Sequence, residues 1–344
     1  MSLSLRIFQS PECGAMVRAR VKQVLNRWLA LKVAAFLLND LWWGVRLHFG
    51  QIETSSGTTH STISIEDSLR YIEEVFRDYK DYGELASFRG VVAEVGPGDN
   101  AGVALLMRKD GCDQVDLIDR YFSRRDPRKQ SMIYDALSKR HQLDWLKHGP
   151  TWNDAQLMGI AQKVGQSAEA FFYDCAQSRG PVYDVIVSRS VFEHLYDPLN
   201  ALESMVSCLK PGGKMIHKID LRDHEMFTPK HHELTFLRFQ SGFYRSMTQN
   251  SGRPNRVLFH RYRERLERLQ EAKRINYVVL ITRLAGVGDL IPHQLPEKID
   301  ADTWHRSERF VDEYRPRVAQ ELAQVASRDL AVAGIFLVAT RTCQ

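Results

Sequence analysis

Four residues at the ends of two apolar runs raise the first chemical question: Glu94, Gly96 and Gly98 in "VVAEVGPGDN", and Asp119 in "VDLIDR". A buried strand that ends in a Gly-x-Gly turn and opens a helix leaves backbone N–H groups facing outward with no Cβ in front of them, which is a place for a ligand. The glycines alone do not separate a nicotinamide or flavin site from other nucleoside sites. Glu94 narrows the choice, because a carboxylate two residues ahead of the first glycine repels a pyrophosphate and suits a ligand that carries an ammonium group. Asp119, 21 residues beyond Gly98, stands where a nucleoside site places a carboxylate for the ribose hydroxyls, with Arg120 beside it. Asp174 in "FFYDCAQ" follows another apolar run and reads either as an acceptor for an adenine amino group or as a helix cap.

A second group of reactive types follows the runs "YDVIVSRSVF" and "KMIHKI": Glu193 and His194, then Asp220, Arg222, Asp223 and His224. In open α/β sheets functional groups gather at the carboxyl ends of the strands. An imidazole titrates near neutral pH, so His194 is the leading candidate for a general base, with Asp220 or His224 as the alternatives. His217, inside its run, reads as an internal residue. A polar insertion at about 222–275 then supplies histidines, aromatics and arginines together. Its Arg222, His231 and His232, with Glu193, are the candidates for holding an acceptor; aromatic faces with polar edges suit a carbohydrate or a phosphate-linked sugar, and equally a loop that needs anchoring.

The elements that must position these groups are legible in the periodicity. From about Phe88 short apolar runs alternate with amphipathic stretches, the pattern of a parallel sheet covered by helices on both faces. "LKPGG" reads as a helix end and a turn into the next strand. Residues 1–83 read as a helical N-terminal extension, with a polar break at "ETSSGTTHSTIS" and an N-cap at Ser64. With 344 residues and 44% hydrophobic content the chain can bury a sizeable core. Its five cysteines, Cys13, Cys112, Cys175, Cys208 and Cys343, show no CxxC spacing, which points away from a zinc site or a disulfide framework and toward a reducing cytoplasm. Met1 to Arg20 lacks the apolar core and cleavage site of an export signal. The apolar piece from Trp28 to Phe49 is interrupted by Lys32, Asp40, Arg46 and His48, too often for a membrane span. That piece reads as packing against the main domain, as an oligomer contact or, with Trp42, Trp43 and the preceding Arg18, Arg20, Lys22 and Arg27, as part of a peripheral contact of residues 18–50 at the inner face of a membrane.

"VVAEVGPGDN", "VDLIDR", "YDVIVSRSVFEHLYDPLNAL" and "LKPGGKMIH", in this order and spacing, resemble the successive motifs of class I S-adenosylmethionine-dependent methyltransferases. The resemblance implies a three-layer Rossmann-like fold over residues 84–344: a mostly parallel seven-stranded sheet with an antiparallel C-terminal strand. It implies S-adenosylmethionine as cofactor, with Glu94, Gly96 and Gly98 around the methionine moiety, Asp119 at the ribose and Asp174 at the adenine. Ser188 would offer its carbonyl beside the ammonium. Asn100 stands where the family often has a third glycine. Some relatives bind a divalent metal through a Glu-x-x-Glu-His arrangement; here Ser190 takes the first acidic position, and Glu193, His194, Asp220 and His224 would hold Mg²⁺ only together with a vicinal diol. A second similarity, to methyltransferases associated with bacterial polysaccharide synthesis, implies a sugar hydroxyl as acceptor. Two other expectations stand beside it. One is RNA methylation, from the arginines between Arg245 and Arg274, although no RNA-binding module accompanies them. The other is a protein that binds S-adenosylmethionine without turning it over.

Overall fold

The first helix, α1 (Leu29–His48), turns its charges inward: Lys32 and Asp40 are buried, whereas Leu38, Leu41 and Trp42 are exposed. Asp40 explains the orientation. Its Oδ1 accepts from the backbone N–H groups of Asn250 and Ser251, each at 2.9 Å, and its Oδ2 from Asn250 Nδ2 at 2.9 Å, so a satisfied buried carboxylate ties the helix to the insertion. Phe36 adds an edge-on contact with Phe227, the ring centroids 5.6 Å apart. The computed structural model describes residues 28–50, 52–54, 57–144 and 159–343; Arg18, Arg20, Lys22, Arg27 and Cys13 lie outside the described residues.

A two-residue strand, β1 (Glu53–Thr54), and a single turn, α2 (Thr59–Thr62), occupy the polar break. Ser64 then caps α3 (Ile65–Tyr82), its Oγ accepting from Asp67 N at 3.0 Å, and Leu69, Ile72, Val75 and Tyr79 make the buried stripe. Strand and helix alternate from there: β2 (Gly90–Val95), α4 (Gly102–Asp110), β3 (Cys112–Asp119), the short β4 (Phe122–Ser123) paired with β1, α5 (Pro127–His141), β5 (Ile160–Val164), α6 (Ala168–Ser178), β6 (Tyr183–Arg189), α7 (Pro198–Cys208) and β7 (Leu209–Asp220). The insertion carries α8 (Ser241–Ser246) and α9 (Phe259–Glu271), and the chain closes with β8 (Ile275–Leu284), β9 (Gly288–Gln294), α10 (Ala301–Tyr314), α11 (Ser327–Ala331) and β10 (Val332–Arg341).

The main sheet runs β5-β3-β2-β6-β7-β10-β8-β9. Its first five strands are parallel; β10 is antiparallel to both β7 and β8, and β9 is antiparallel to β8. The sheet therefore has eight strands where seven were expected. The extra one is the edge strand β9, "GDLIPHQ", whose proline a pattern search reads as a break; an edge position tolerates Pro292 because its missing N–H faces no neighbour. Residues of β2 alternate between two cores, Val92 with α3, α4 and α5 on one face, Ala93 and Val95 with α6, α7 and the insertion on the other. Two packed faces make the three layers. The arginines of α9 lie on a half-solvated helix: Phe259, Tyr262, Leu266 and Leu269 are buried, while Arg263 pairs with Asp329 at 2.5 Å and Arg265 with Glu203 at 2.9 Å.

Candidate active site

β2 is flanked by parallel partners on both sides, so its carboxyl end delivers the glycine turn to the top edge of the sheet. Gly96 and Gly98 take φ of +69° and +67°, the left-handed region that L-side chains rarely occupy. A Cβ at Gly96 would stand 2.3 Å from Val191 Cγ2, and one at Gly98 2.8 Å from the Gly57 carbonyl oxygen. The segment before α3 thus folds back over the turn. Asp99 N donates to Gly57 O at 3.0 Å, and the Asp99 carboxylate accepts from His60 N at 3.3 Å, Ser61 N at 2.9 Å and Ser61 Oγ at 2.7 Å. Glu94 is 6% exposed, its Oε2 has no hydrogen-bond partner, and burial pushes its carboxyl up to about 8. A buried, unpartnered carboxyl oxygen next to a turn with no room for a Cβ fits the ammonium end of S-adenosylmethionine.

Asp119 closes β3 and accepts from Tyr121 N at 3.0 Å; burial raises its carboxyl to about 6 against that bond and the charge of Arg125. It lines two adjoining cavities. One, of about 70 Å³, is shared with Gly96, Arg120, Ser167, Glu169 and Tyr196. The other, of about 210 Å³, has Trp43, Thr54, Gly57 and Gly98 as further walls. Arg120 lays its guanidinium over Tyr196, 4.4 Å from the ring centroid. Ser188 is fully buried in β6, its Oγ 2.8 Å from His217 Nδ1, and His217 is internal, as its place in the run indicates.

Three of the expected site residues lie apart from the described cavities. Asp174 lies inside α6, exposed and accepting from Gln166 Nε2 at 2.6 Å; it lines none of the cavities, because the strand before it ends ten residues earlier, at Val164. Asn100 turns its Oδ1 back to accept from Gly102 N at 2.7 Å, a cap for the start of α4, and lines none of the described cavities. His232 stacks on Tyr314 at 4.2 Å and Phe310 at 4.6 Å between centroids, and its Nδ1 accepts from Leu234 N at 3.1 Å, so packing accounts for it.

The second cluster forms where the ends of β6 and β7 meet. A turn of 3₁₀ helix, Phe192–His194, carries Glu193 and His194, and the loop after Asp220 brings His224 edge-on to His194 with 4.9 Å between centroids. His224 Nε2 lies 3.3 Å from Asp220 Oδ2 and 3.4 Å from Glu193 Oε1, ion-pair distances without the alignment of hydrogen bonds. The loop is strained: His224 and Glu225 hold φ of +46° and +62°. Asp223, 2% exposed, keeps it so by accepting from Glu225 N at 3.0 Å, Phe227 N at 2.9 Å and Thr228 Oγ1 at 3.1 Å. Burial works to lower the His224 pKa, but Asp220 and Glu193 outweigh it and raise it to about 10. Asp220 is held well below the usual carboxylate range despite its burial, by His224 and by Arg222, whose Nε donates to it at 2.9 Å. Burial lowers His194, with Glu193 opposing.

Glu193, His194 and His224 bring one donor atom each within 4.8 Å of the others. They do not fit the expected Mg²⁺, which selects oxygen ligands, whereas two of these three donors are imidazole nitrogens. The cation that the carboxylates do receive is the His224 imidazolium. Glu193, 2% exposed, reaches its surroundings through His224 and lines none of the described cavities. Arg222 and His231 line another cavity, of about 590 Å³, together with Asp220, His224, Glu225, Glu233 and Arg283 but without Gly96 or Asp119. His194 is different: it lines both cofactor-side cavities and a third, of about 180 Å³, walled by Tyr244, Arg245, Arg253 and Arg256 of the insertion. The residues that sequence reading did not assign to the site are Thr54, Gly57, His60, Ser61, Tyr121 and Tyr196, with Trp43, which it read as a membrane contact; the glycine within the polar run "SGTTHS" was a signal for its neighbours.

A methyltransferase-domain profile matches residues 70–275, more than half of the chain. No curated protein sequence matches it significantly. Among solved structures, the phosphoethanolamine N-methyltransferase 2 of Haemonchus contortus, in complex with S-adenosyl-L-methionine, is similar at 14% identity and a TM-score of 0.38, over 82% of this chain and 61% of its own. The N-methyltransferase NodS of Bradyrhizobium japonicum WM9, in complex with S-adenosyl-l-homocysteine, is similar at 13% identity and a TM-score of 0.34, over 80% of this chain and 87% of its own. The CurJ carbon methyltransferase is similar at 10% identity and a TM-score of 0.34, over 96% and 71%. With a profile match of that extent falling on the glycine turn, Asp119 and both carboxyl-end clusters, the chain belongs to the methyltransferase-domain family and is a class I S-adenosylmethionine-dependent methyltransferase.

Proposed function

We propose that the protein methylates a hydroxyl group of a sugar or other hydroxylated small molecule, with His194 receiving the hydroxyl proton. The observation that carries this reading is the place of His194, common to the cavities beside Gly96 and Asp119 and to the cavity of the insertion. In the cofactor half, Glu94 would face the ammonium, Gly96 and Gly98 the methionine backbone, Asp119 the ribose with Arg120 at its edge, and Ser188 would contribute its carbonyl. Bound there, S-adenosylmethionine supplies a methyl group already activated by a positive sulfur. What remains for the protein is to align an acceptor, exclude water and take a proton.

The cluster suits that task. His194 Nδ1 is buried and has no hydrogen-bond partner, which leaves it to take up the proton in this reading. Burial keeps this imidazole neutral at pH 7, and the neighbouring Glu193 stabilises the charge it acquires on accepting a proton. Asp220 and Glu193 hold His224 as an imidazolium, which positions the loop against the edge of His194. A neutral amine needs less of this machinery, since it attacks through a free lone pair. Arg222 and His231, which line the 590 Å³ cavity, would contact the far end of a long acceptor. The ion pairs of Arg263 and Arg265 leave the RNA reading with little free charge on α9.

Incubation of the protein with methyl-labelled S-adenosylmethionine and separated glycan, lipid and RNA fractions tests the proposal. Label in a glycan or lipid-linked glycan, stable to conditions that cleave carboxyl methyl esters, is the expected result. Label confined to RNA or to amines would overturn it.

A further inference from the structure

The outer face of α1 carries the feature that the active site does not use. Leu31, Leu38, Leu41, Trp42, Val45 and Phe49 recur at three-, four- and seven-residue spacing and all face outward, Leu38 at 69%, Trp42 at 61% and Phe49 at 73% exposure. Lys32 and Asp40, the polar residues that a surface helix would normally show to water, are the ones buried. The helix is apolar on both faces, since Leu29, Val33, Phe36 and Leu37 pack inward against the core while Leu38, Trp42 and Phe49 face out, and the bonds of Asp40 to Asn250 and Ser251 fix it in that orientation.

We propose that this face docks on an anionic lipid bilayer, lying in its interface. Three observations select that occupant. The first is charge: Asp40 is the only acid in α1 and it is buried, so no negative group stands on the exposed face, while Arg46 lies in its last turn and Arg18, Arg20, Lys22 and Arg27 precede it in the sequence. The second is size. A helix of 20 residues is about 30 Å long, and a stripe about 10 Å wide offers about 300 Å², well short of the roughly 800 Å² per partner of a stable dimer. The third is chemistry, since Trp42 and the neighbouring Trp28, 63% exposed, suit the headgroup boundary, and no helix among the described residues is long and apolar enough to cross a membrane. Trp43, the next residue along α1, lines the 210 Å³ cavity with Gly98 and Asp119, so the docking helix is also a wall of that cavity.

The test is co-sedimentation of the full chain with vesicles of phosphatidylcholine alone and of phosphatidylcholine mixed with phosphatidylglycerol. The protein should bind the mixed vesicles about tenfold or more tightly than the neutral ones, and less tightly in high salt. The double variant Leu38→Glu, Trp42→Glu should lose at least about tenfold in this binding, with S-adenosylmethionine affinity unchanged. Equal sedimentation of variant and wild type, or none of the wild type, would overturn the proposal. So would a wild-type dimer that the double variant converts to monomers, because a second copy would then own the face. If the variant does not fold, quenching of wild-type tryptophan fluorescence by brominated lipid decides: quenching supports docking and its absence rejects it. None of these outcomes depends on the methyl acceptor.

Discussion

Exchanging Glu94 for glutamine separates what this carboxyl does for folding from what it does for the cofactor. Burial moves it from an ordinary 4.5 to about 8 in the folded chain. A raised folded-state pKa means that the unfolded chain binds fewer protons between those two values, so stability is greatest below about pH 4.5 and falls as pH rises through 8. At pH 7 the unfolded chain gains about two and a half pH units of ionisation that the folded chain forgoes, a cost of about 3 kcal/mol, rising to about 5 kcal/mol above pH 8. Glu94→Gln keeps the shape and removes the titration. Its melting temperature at pH 8 should exceed that of the wild type by several degrees, about 5 °C, with the gap closing toward pH 5. The buried amide still wants partners, which makes this an upper bound. Binding should move the opposite way: a carboxyl protonated at pH 7 must ionise to meet an ammonium, so S-adenosylmethionine binding by the wild type should release a proton and tighten up to about pH 8. The variant should bind about tenfold or more weakly and release none. Melting curves at pH 5 and pH 8, with calorimetry in two buffers of different ionisation enthalpy, read all of this. A variant no more stable than wild type at pH 8 that also binds the cofactor normally would refute the reasoning.

Gly98→Ala should lower stability by about 1–2 kcal/mol and weaken S-adenosylmethionine binding, since the left-handed φ and the Gly57 carbonyl at 2.8 Å both oppose a Cβ; melting and titration calorimetry check it. Asp119→Ala should cost about 1–3 kcal/mol of cofactor affinity by calorimetry if its hydrogen bonds to the ribose are real, and neither form should bind NAD. His194→Ala should lower kcat by about 10²- to 10⁴-fold with cofactor affinity within about twofold of wild type, and the acid limb of the wild-type rate profile should fall below pH 6.5 because burial lowers this imidazole.

The parts of this molecule that were legible in the sequence are those governed by short-range periodicity. Val91 to Val95 had to be a buried strand, Ser64 had to cap a helix, and the order of apolar runs implied a parallel sheet before any contact was known. The surroundings that were not legible share a cause: they belong to groups whose partners lie far along the chain or on the other side of a local boundary. Asp174 looked like a strand-end acid because "AFF" is apolar, yet a helix begun at Ser167 had already carried it to an exposed face. His232 looked like a site histidine until the rings of Phe310 and Tyr314, more than seventy residues on, enclosed it. Asp40 read as an interruption in an apolar run because its acceptor role is played out against Asn250, 210 positions away.

The same long-range logic explains why the glycine turn alone does not make the site. The profile match begins at residue 70, yet Trp43, Thr54 and Gly57 wall the larger cofactor-side cavity, and His60 and Ser61 hold Asp99 beneath it. Two anchors keep these residues in place: Asp99 reaches forward to the segment before α3, and Asp40 reaches across to the insertion. Each is a buried carboxylate whose oxygens are satisfied mainly by backbone N–H groups, so each fixes a chain segment rather than a single side chain. The insertion is tied in turn to the strand ends, because Asn255 N donates to Glu193 O at 2.7 Å and Asn255 Nδ2 to Phe192 O at 2.7 Å. The cavities beside His194 therefore have walls from α1, the polar break and the insertion, three regions outside the strand-and-helix alternation that announces the fold. The sheet supplies the glycine turn and Asp119, and these appended segments supply the remaining walls of the cavities around them.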